Sequence, residues 1–156
     1  MPFVTRLRPG HIAIAPGWQG FDATVDGLLA RLVAARALAD TVAPVAAAAI
    51  RAREREASTA ILDIGVGVPH ARVEGLNVPV VGLAVAATGL YEAAPTVSIR
   101  IVALVLSPAA ALEEHLRTLA DIATLLHSTD LRASLLRAAD APAALAILMQ
   151  FARGLP

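Results

Sequence analysis

The sequence predicts a single-domain α/β protein in which helices cover both faces of a β-sheet. Two apolar runs, residues 78–87 and 99–106, are nearly uninterrupted, as is typical of strands covered on both faces. Other segments repeat apolar residues at helical spacing and can supply the covering helices. A chain of 156 residues has the length of one domain, so we assign residues 1–156 to a single unit.

The composition indicates a large apolar core. Hydrophobic residues make up 57% of the chain and charged residues 17%, against roughly 45–50% and about 25% in typical soluble domains. The 13 basic and 13 acidic residues balance, so no net positive field attracts nucleic acid or an anionic membrane. Cysteine is absent, which excludes disulfides, thiolate catalysis and cysteine-ligated zinc.

The longest uncharged run covers residues 75–91, a stretch of 17 residues interrupted by three glycines and a proline. A membrane-spanning helix needs about 20 apolar residues, so this run is better interpreted as a buried strand with loops. No apolar segment long enough for a signal peptide follows Arg6 and Arg8. We therefore expect no membrane insertion and a cytoplasmic location.

The N-terminal segment predicts an edge strand followed by a helix. The strand is expected over His11–Ala15, because the apolar run ends at Pro16 and Gly17. Asp22 is expected to be the N-cap of the helix. The apolar face of that helix comprises Val25, Leu28, Leu29, Leu32 and Val33.

A second helix is expected to begin near Asp40 or Thr41, with Pro44 in its first turn, and to end in the charged segment 51–56. Arg53 lies three residues after Ile50, so it extends the apolar face of this helix. That position is unusual for an arginine.

Residues 61–68 are apolar except for Asp63 and are expected to include a strand that ends in a Gly-x-Gly-x-Pro turn. Further on, Ser107 and Pro108 predict the N-cap and first turn of a helix. The predicted apolar stripe of this helix surrounds His115 and comprises Leu112, Leu116, Leu119, Ile122, Ala123 and Leu126. Two shorter helices are expected over residues 130–139 and 140–152.

Histidine is the residue type best suited to carry chemistry in this chain. His70 directly follows the Gly-x-Gly-x-Pro turn, where loops commonly hold function. A neutral imidazole is a nucleophile at neutral pH and can accept a phosphoryl group. Arginine, a second imidazole N–H and backbone amides can stabilise the charge of that group. Candidates for these roles are Arg53, Arg72, His115 and the turn residues Gly65, Val66, Gly67 and Val68.

Competing functions are less well supported. Gly65 and Gly67 begin a dinucleotide-binding pattern, but His70 replaces its third glycine and Pro69 removes an amide. A zinc site could use His70 and His115 with Glu54 or Asp63, although no second ligand lies at a recognised short spacing. A buried His115 could also be an ordinary core residue.

We interpret the remaining conspicuous residues structurally. His127 is expected to be partly exposed at a helix end, where the helix dipole favours it. Trp18 and Tyr91 lie in loop-like segments and are expected to be packing lids. The charges of residues 51–56, apart from Arg53, are expected to form a solvated helix end.

Two stretches of sequence resemble a known family. Arg53-Glu54, Ser58-Thr59 and the segment Gly65–Arg72 are similar to the active-site signature of phosphotransferase-system enzyme IIA domains of the fructose/mannitol type, which include nitrogen-regulatory members. The segment Leu104–Pro108 and the later Glu114-His115-Leu116 resemble that family's strand and second histidine. The resemblance spans about residues 5–150.

The resemblance implies a mixed β-sheet flanked by helices and no cofactor or metal. It also implies that His70 accepts phosphate from a small HPr-like phosphocarrier protein and passes it to a IIB component. Arg53 and His115 would then assist the phosphoryl group. The alternative is a nitrogen-regulatory binding module that controls a target protein, with phosphorylation as a switch or lost.

Two segments depart from the family pattern. The usual Gly-Ile-Gly-Asn-Gly lead-in is replaced by residues 60–65, with one residue more and no asparagine. Residues 90–95 replace a Phe-Gly-x-x-Asp-Gly loop and are shorter. The chain also has no lysine, so partner docking would depend on arginines.

Overall fold

The computed structural model describes residues 1–155, which form six α-helices, a short 3-10 helix (Pro9–His11) and eight strands. The helices are α1 (Pro2–Arg6), α2 (Phe21–Ala34), α3 (Ala43–Glu56), α4 (Leu112–Leu126), α5 (Thr129–Leu136) and α6 (Ala141–Arg153). The strands are β1 (Ile12–Ile14), β2 (Ala60–Ile61), β3 (Val66–Gly67), β4 (His70–Val73), β5 (Val80–Val85), β6 (Tyr91–Ala94), β7 (Val97–Ile99) and β8 (Ile101–Pro108).

The main sheet is mixed, with the strand order β1-β5-β8-β3-β2, and β4 also pairs with β8. The pairs β1–β5, β3–β8 and β4–β8 are parallel, whereas β5–β8 and β2–β3 are antiparallel. Strands β6 and β7 form a separate hairpin. The predicted α/β class with a mixed sheet is confirmed, and β1 is the predicted edge strand.

Helices cover both faces of the main sheet. On one face, called the α2–α3 face, alternate residues of β8 such as Val102 and Leu104 pack with α2 and α3. On the other, the α4–α6 face, Ala103 and Val105 pack with α1, α4, α5 and α6. Because neither face of β5 or β8 meets solvent, these strands have the continuous apolar sequence seen above.

Strands β3 and β4 follow one another along the same edge of β8, and both pair with it in parallel. Val66 pairs with Ile101 and His70 pairs with Val105, which is the same register in both cases. Pro69 separates the two strands because it has no N–H to donate to a ladder, although its carbonyl accepts from the amide of Val105. His70 therefore begins a strand and does not merely follow one.

Residues 61–68 do not form a single strand. Strands β2 and β3 pair antiparallel through Ala60 with Gly67 and Ile61 with Val66, so the chain reverses between them. Gly65 has a φ of +66° in this reversal, a conformation that a glycine adopts without strain. The residue added to the family's usual lead-in thus lies within a hairpin.

The predicted starts of two helices in the first third are displaced. The N-cap of α2 is Gly20, whose amide donates to the carbonyl of Leu90, and Asp22 lies in the first turn. The carboxylate of Asp22 still lies near the positive end of the helix dipole. Helix α3 begins at Ala43 and not at Asp40 or Thr41, with Pro44 in its first turn as predicted.

The prediction that Ser107 and Pro108 start a helix is wrong. Both residues end β8, where Ser107 pairs with Arg72 and Pro108 with Val73. Helix α4 begins later, at Leu112, after the N-cap Ala111. The long-range pairing with β4 extends the strand, and local sequence contains no sign of that partner.

The predicted apolar stripe of α4 is rotated relative to the observed one. Leu112 and Leu116 are 48% and 56% exposed. The buried residues of this helix are His115, Thr118, Ile122, Leu125 and Leu126. Leucines occupy two adjacent arcs of the helix, so periodicity alone did not show which arc faces the sheet. The last two predicted helices are confirmed, and Ser128 and Asp140 cap them by accepting backbone N–H groups.

Candidate active site

His70 and His115 face each other on the α4–α6 face of the sheet. Their ring centroids are 5.4 Å apart and the ring planes are inclined by 54°. His70 is half-buried at the start of β4, and His115 is only 4% exposed near the start of α4. These residues are 45 positions apart in the chain. They are neighbours because β4 pairs with β8, and β8 is followed in the chain by α4.

The backbone determines which nitrogen of His70 carries a proton. Nδ1 of His70 lies 2.7 Å from the carbonyl oxygen of Val68. A carbonyl can only accept a hydrogen bond, so Nδ1 of the ring must donate. In the neutral ring, Nε2 then has no proton and presents its lone pair.

A buried serine holds His115. Nδ1 of His115 lies 2.7 Å from Oγ of Ser107, and Ser107 is completely buried at the end of β8. Sequence analysis assigned Ser107 to a helix cap and so missed this contact. The two residues are eight positions apart and belong to different elements, so helical or strand spacing did not indicate it.

Both rings are neutral near pH 7. The pKa of His70 is lowered, mainly by burial and further by the positive charge of Arg53, while the Val68 carbonyl and Glu54 act in the opposite direction. The pKa of His115 falls to about 4, chiefly because of burial and then because a protonated His70 ring and the charge of Arg72 disfavour a positive charge on His115. A histidine nucleophile must be unprotonated, so these shifts favour reaction at His70.

The positive charges of the two predicted arginines act on the histidine pair, that of Arg53 on His70 and that of Arg72 on His115. Arg53 is half-buried in the last turn of α3, and its Nη1 donates to the carbonyl of Ala57 at 3.0 Å. Arg72 lies two residues after His70 in β4, on the same face of the strand. Its Nη1 donates to the carbonyl of Ala109 at 2.8 Å. Each guanidinium is therefore oriented by a backbone carbonyl.

Glu54, named above as a possible zinc ligand and as part of the family signature, is a structural residue of the site. Its carboxylate accepts from the amide of Thr59 at 3.1 Å and from the Thr59 hydroxyl at 2.6 Å. The carbonyl of Thr59 in turn accepts from the amide of Val68. A chain of hydrogen bonds thus runs from α3 to the carbonyl that orients His70.

The charged segment of α3 is therefore not simply a solvated helix end. Besides the contacts of Arg53 and Glu54, Arg51 forms ion pairs with Asp22 and Asp26 of α2, with N···O distances of 3.0 and 2.7 Å. These pairs link the two helices on the α2–α3 face.

The predicted phosphate-binding turn is placed beside His70, but its residues have different surroundings. Gly65 lies in the β2–β3 reversal, and Val66 and Gly67 are buried strand residues. The amide of Val68 already donates to Thr59. Phosphate binding by the backbone of residues 65–68 stays a prediction.

Tyr91 lies in β6 and not in a loop, contrary to the sequence-based expectation. It is 9% exposed. Its hydroxyl occupies the position that a Cβ on Gly67 would take. Phe21 packs edge-on against its ring, with centroids 5.3 Å apart. Within residues 1–155 the Tyr91 hydroxyl has no hydrogen-bond partner. Gly67 therefore serves close packing beneath this ring.

The zinc alternative finds no complete ligand set. Across residues 1–155, no three or more histidine, aspartate or glutamate side chains are grouped so that they could hold a metal ion. Glu54 is engaged with Thr59 and Asp63 is exposed in the β2–β3 reversal.

Within residues 1–155 there is no helix long and apolar enough to cross a membrane.

The family of this chain follows from a comparison with sequence models of protein families. A sequence model of the family described as phosphoenolpyruvate-dependent sugar phosphotransferase system, EIIA 2, matches residues 23–151, which include both histidines and both arginines. The chain belongs to this EIIA family. The resemblance found in the sequence is thereby confirmed.

One curated relative of this EIIA chain is the fructose-specific EIIA component of the phosphotransferase system of Haloferax volcanii. It is 34% identical over 91 residues, which are 58% of this chain and 58% of that protein. The match thus spans little more than half of the length of the curated relative.

Solved EIIA structures share the fold. The nitrogen regulatory protein IIA-Ntr of Neisseria meningitidis superposes with a TM-score of 0.79 at 23% identity, covering 95% of this chain and 99% of that one. IIA mannitol of Escherichia coli gives a TM-score of 0.73 at 18% identity, covering 91% and 98%. In its complex with phosphorylated enzyme IIB mannitol, the E. coli IIA mannitol gives a TM-score of 0.74 at 17% identity. This superposition covers 92% of this chain and 97% of that one.

The segment at residues 90–95 that departs from the family pattern contains β6 of the β6–β7 hairpin. Residues 90–95, noted above as shorter than the usual loop, run into β6, and β6 pairs with β7 after a shift in register at Glu92 and Ala94. This EIIA chain thus has a short hairpin over residues 91–99.

Proposed function

We propose that this EIIA chain, acting as a single domain over residues 1–156, is a phosphocarrier whose acceptor atom is Nε2 of His70. It would receive a phosphoryl group from an HPr-like phosphocarrier protein and pass it to a IIB component, with both exchanges in the cytoplasm. The supporting observation is the 2.7 Å contact between Nδ1 of His70 and the Val68 carbonyl, which leaves Nε2 unprotonated.

The transfer needs no separate base. The Nε2 lone pair of His70 forms a bond to phosphorus while the phosphorus–nitrogen bond of the donor histidine breaks, and its electron pair returns to the donor ring. The His70 ring gains positive charge, which its Nδ1–H shares with the Val68 carbonyl. Onward transfer reverses these bond changes with the acceptor of the IIB component.

Charge on the phosphoryl oxygens would be stabilised by groups that lie around His70. His115 can offer an imidazole N–H, and Arg53 and Arg72 can offer guanidinium donors. Preorganised donors of this kind stabilise a transition state more than the same groups in water, because no solvent must be reorganised. No metal or cofactor is required by this scheme.

The partner assignments rest on two supports. The E. coli complex of IIA mannitol with phosphorylated IIB supports a IIB component as acceptor. The HPr-like donor follows from the family resemblance. Leu112 and Leu116 are exposed on the helix that carries His115 and offer apolar contact beside the rings. With no lysine in the chain, Arg53 and Arg72 would provide the positive charge at this surface.

The proposal is tested by incubating the protein with phosphoenolpyruvate and the organism's general phosphotransferase proteins. We expect one acid-labile, base-stable phosphate, assigned by ³¹P NMR to a histidine Nε2. His70→Ala should abolish it. His127→Ala is the matched control, because His127 is exposed at the opposite end of α4 from His115. Phosphate that persists in His70→Ala would overturn the assignment.

Transport and nitrogen-regulatory roles separate at the second step. The fructose-specific relative supports transfer to a IIB component, whereas a regulatory module would keep its phosphate or exchange it only with the donor. Purified phosphoprotein mixed with IIB components encoded by the same organism distinguishes the two. Rapid loss of phosphate to a IIB component supports the transport role, and its absence with all of them supports regulation.

A further inference from the structure

We propose that Ser107 is a positioning residue that keeps His115 in the tautomer with its proton on Nε2, so that His115 can donate to a phosphoryl group on His70. This inference rests on the function proposed above. It assigns a role to a residue outside the predicted set of site residues.

The hydroxyl proton of Ser107 determines the direction of its hydrogen bond with His115. Ser107 is completely buried, and within residues 1–155 its Oγ has a single hydrogen-bond partner, Nδ1 of His115 at 2.7 Å. A buried hydroxyl whose proton finds no acceptor costs free energy. The proton of Ser107 therefore points at Nδ1 of His115, and Nδ1 accepts.

The proton count of the ring then places the other hydrogen. Burial and the positive charges of its surroundings lower the pKa of His115 to about 4, so the ring carries one proton near pH 7. If Nδ1 accepts from Ser107, that single proton must be on Nε2. His115 consequently presents an N–H donor.

The two histidines therefore have opposite tautomers. The Val68 carbonyl accepts from Nδ1 of His70, which leaves a lone pair on Nε2, while the Ser107 hydroxyl donates to Nδ1 of His115, which leaves a proton on Nε2. One ring is thus suited to attack phosphorus and the other to bind its oxygens. The tautomer of His70 is determined by a backbone carbonyl between β3 and β4, and that of His115 by a side chain near the end of β8.

The direct test is the tautomer of each ring in the unmodified protein, read by long-range ¹H–¹⁵N NMR of ¹⁵N-histidine-labelled sample at pH 7.5. We expect the Nε2–H form for His115 and the Nδ1–H form for His70. A His115 ring in the Nδ1–H form would overturn the inference, whether or not His70 is phosphorylated. This measurement needs no variant and no partner protein.

The functional test compares three variants of buried hydroxyls. Ser107→Ala should shift His115 toward the Nδ1–H form and slow single-turnover transfer, by at most the roughly hundredfold expected when the donor is lost outright. Ser107→Thr, which keeps the hydroxyl, should restore both the tautomer and the rate. Thr118→Val is the matched control, because Thr118 is a completely buried hydroxyl on the same helix that donates to the Glu114 carbonyl.

The outcomes separate this inference from the proposed function. An unchanged transfer rate in Ser107→Ala, with the tautomer altered, would overturn the positioning role while leaving His70 as acceptor. Equal slowing in Thr118→Val would show a structural effect and also overturn it. Absence of phosphate on His70 in the unmodified protein would instead contradict the proposed function.

Discussion

At the scale of single residues, Arg53 acts on His70 from a different helix than His115 does. Its positive charge lowers the pKa of His70. Arg53→Ala should therefore raise the pKa of His70, seen as a titration at higher pH in histidine NMR. It should also slow phosphoryl transfer by roughly a hundredfold if the guanidinium binds the transferred group.

The control for this variant lies two residues further along α3. Arg55 has the same charge but is exposed, so Arg55→Ala should leave both the His70 titration and the transfer rate unchanged. If Arg55→Ala moved them as much as Arg53→Ala, the effect would come from the general field of the helix end and not from a placed guanidinium.

At the scale of elements, the contact between β3 and β6 depends on residue 67 being a glycine. A Cβ on Gly67 would overlap the Tyr91 hydroxyl and lie 3.0 Å from Cζ of that ring. Gly67→Ala should lower the free energy of unfolding by about 1–3 kcal/mol, as overpacking usually does. Tyr91→Phe removes the overlapping atom, which is buried without a partner, so it should cost little by itself.

The two changes should therefore not be additive. In urea denaturation, Gly67→Ala should cost less in the Tyr91→Phe background than in the unmodified protein. Gly154→Ala is a suitable control, because its φ is −82° and the nearest atom to an added Cβ is 3.6 Å away. Equal costs of Gly67→Ala in both backgrounds would show that the hydroxyl is not what excludes the methyl group.

At the scale of the whole molecule, buried neutral histidines make stability depend on pH. The pKa values of His11, His70 and His115 are all lowered from 6.5, each mainly by burial, that of His115 to about 4. Below pH 6.5 the unfolded chain binds protons that the folded chain does not, so the free energy of unfolding falls as the pH falls. Tm should decrease between pH 7.5 and 5.

Calorimetry at a series of pH values checks this expectation. A loss of about 1 kcal/mol lowers the Tm of a chain of this size by roughly 2–4 °C. His115→Ala should have a lower Tm at pH 7.5 but a shallower decline with acid than the unmodified protein. A Tm that stays constant from pH 7.5 to 5 would contradict the neutral, buried state of these rings.

Individual residues show where sequence reasoning succeeded and where it failed. Arg53 and His115 were singled out because polar residues stood on apolar helical faces, and the structure places both around His70. The same reasoning misplaced the buried arc of α4, since leucines lie on two arcs of that helix. It named Glu54 only as a possible zinc ligand and a signature residue, and did not predict the contact of Glu54 with Thr59, which spans five positions and follows no helical or strand period.

The sequence by itself determined the α/β class, the covered strands, the family and the residue types of the histidine site. These features depend on local periodicity and on short motifs, both of which can be identified in the sequence without knowing the fold. Only the tertiary structure decided that Ser107 ends a strand, that Tyr91 covers Gly67 and which nitrogen of each histidine carries a proton. A tautomer depends on a hydrogen-bond partner at 2.7 Å, and the partner of His115 is brought there by the packing of α4 on β8. This contact joins a strand and the following helix at a spacing of eight residues, which is neither a helical nor a strand period, so no local pattern in the chain records it.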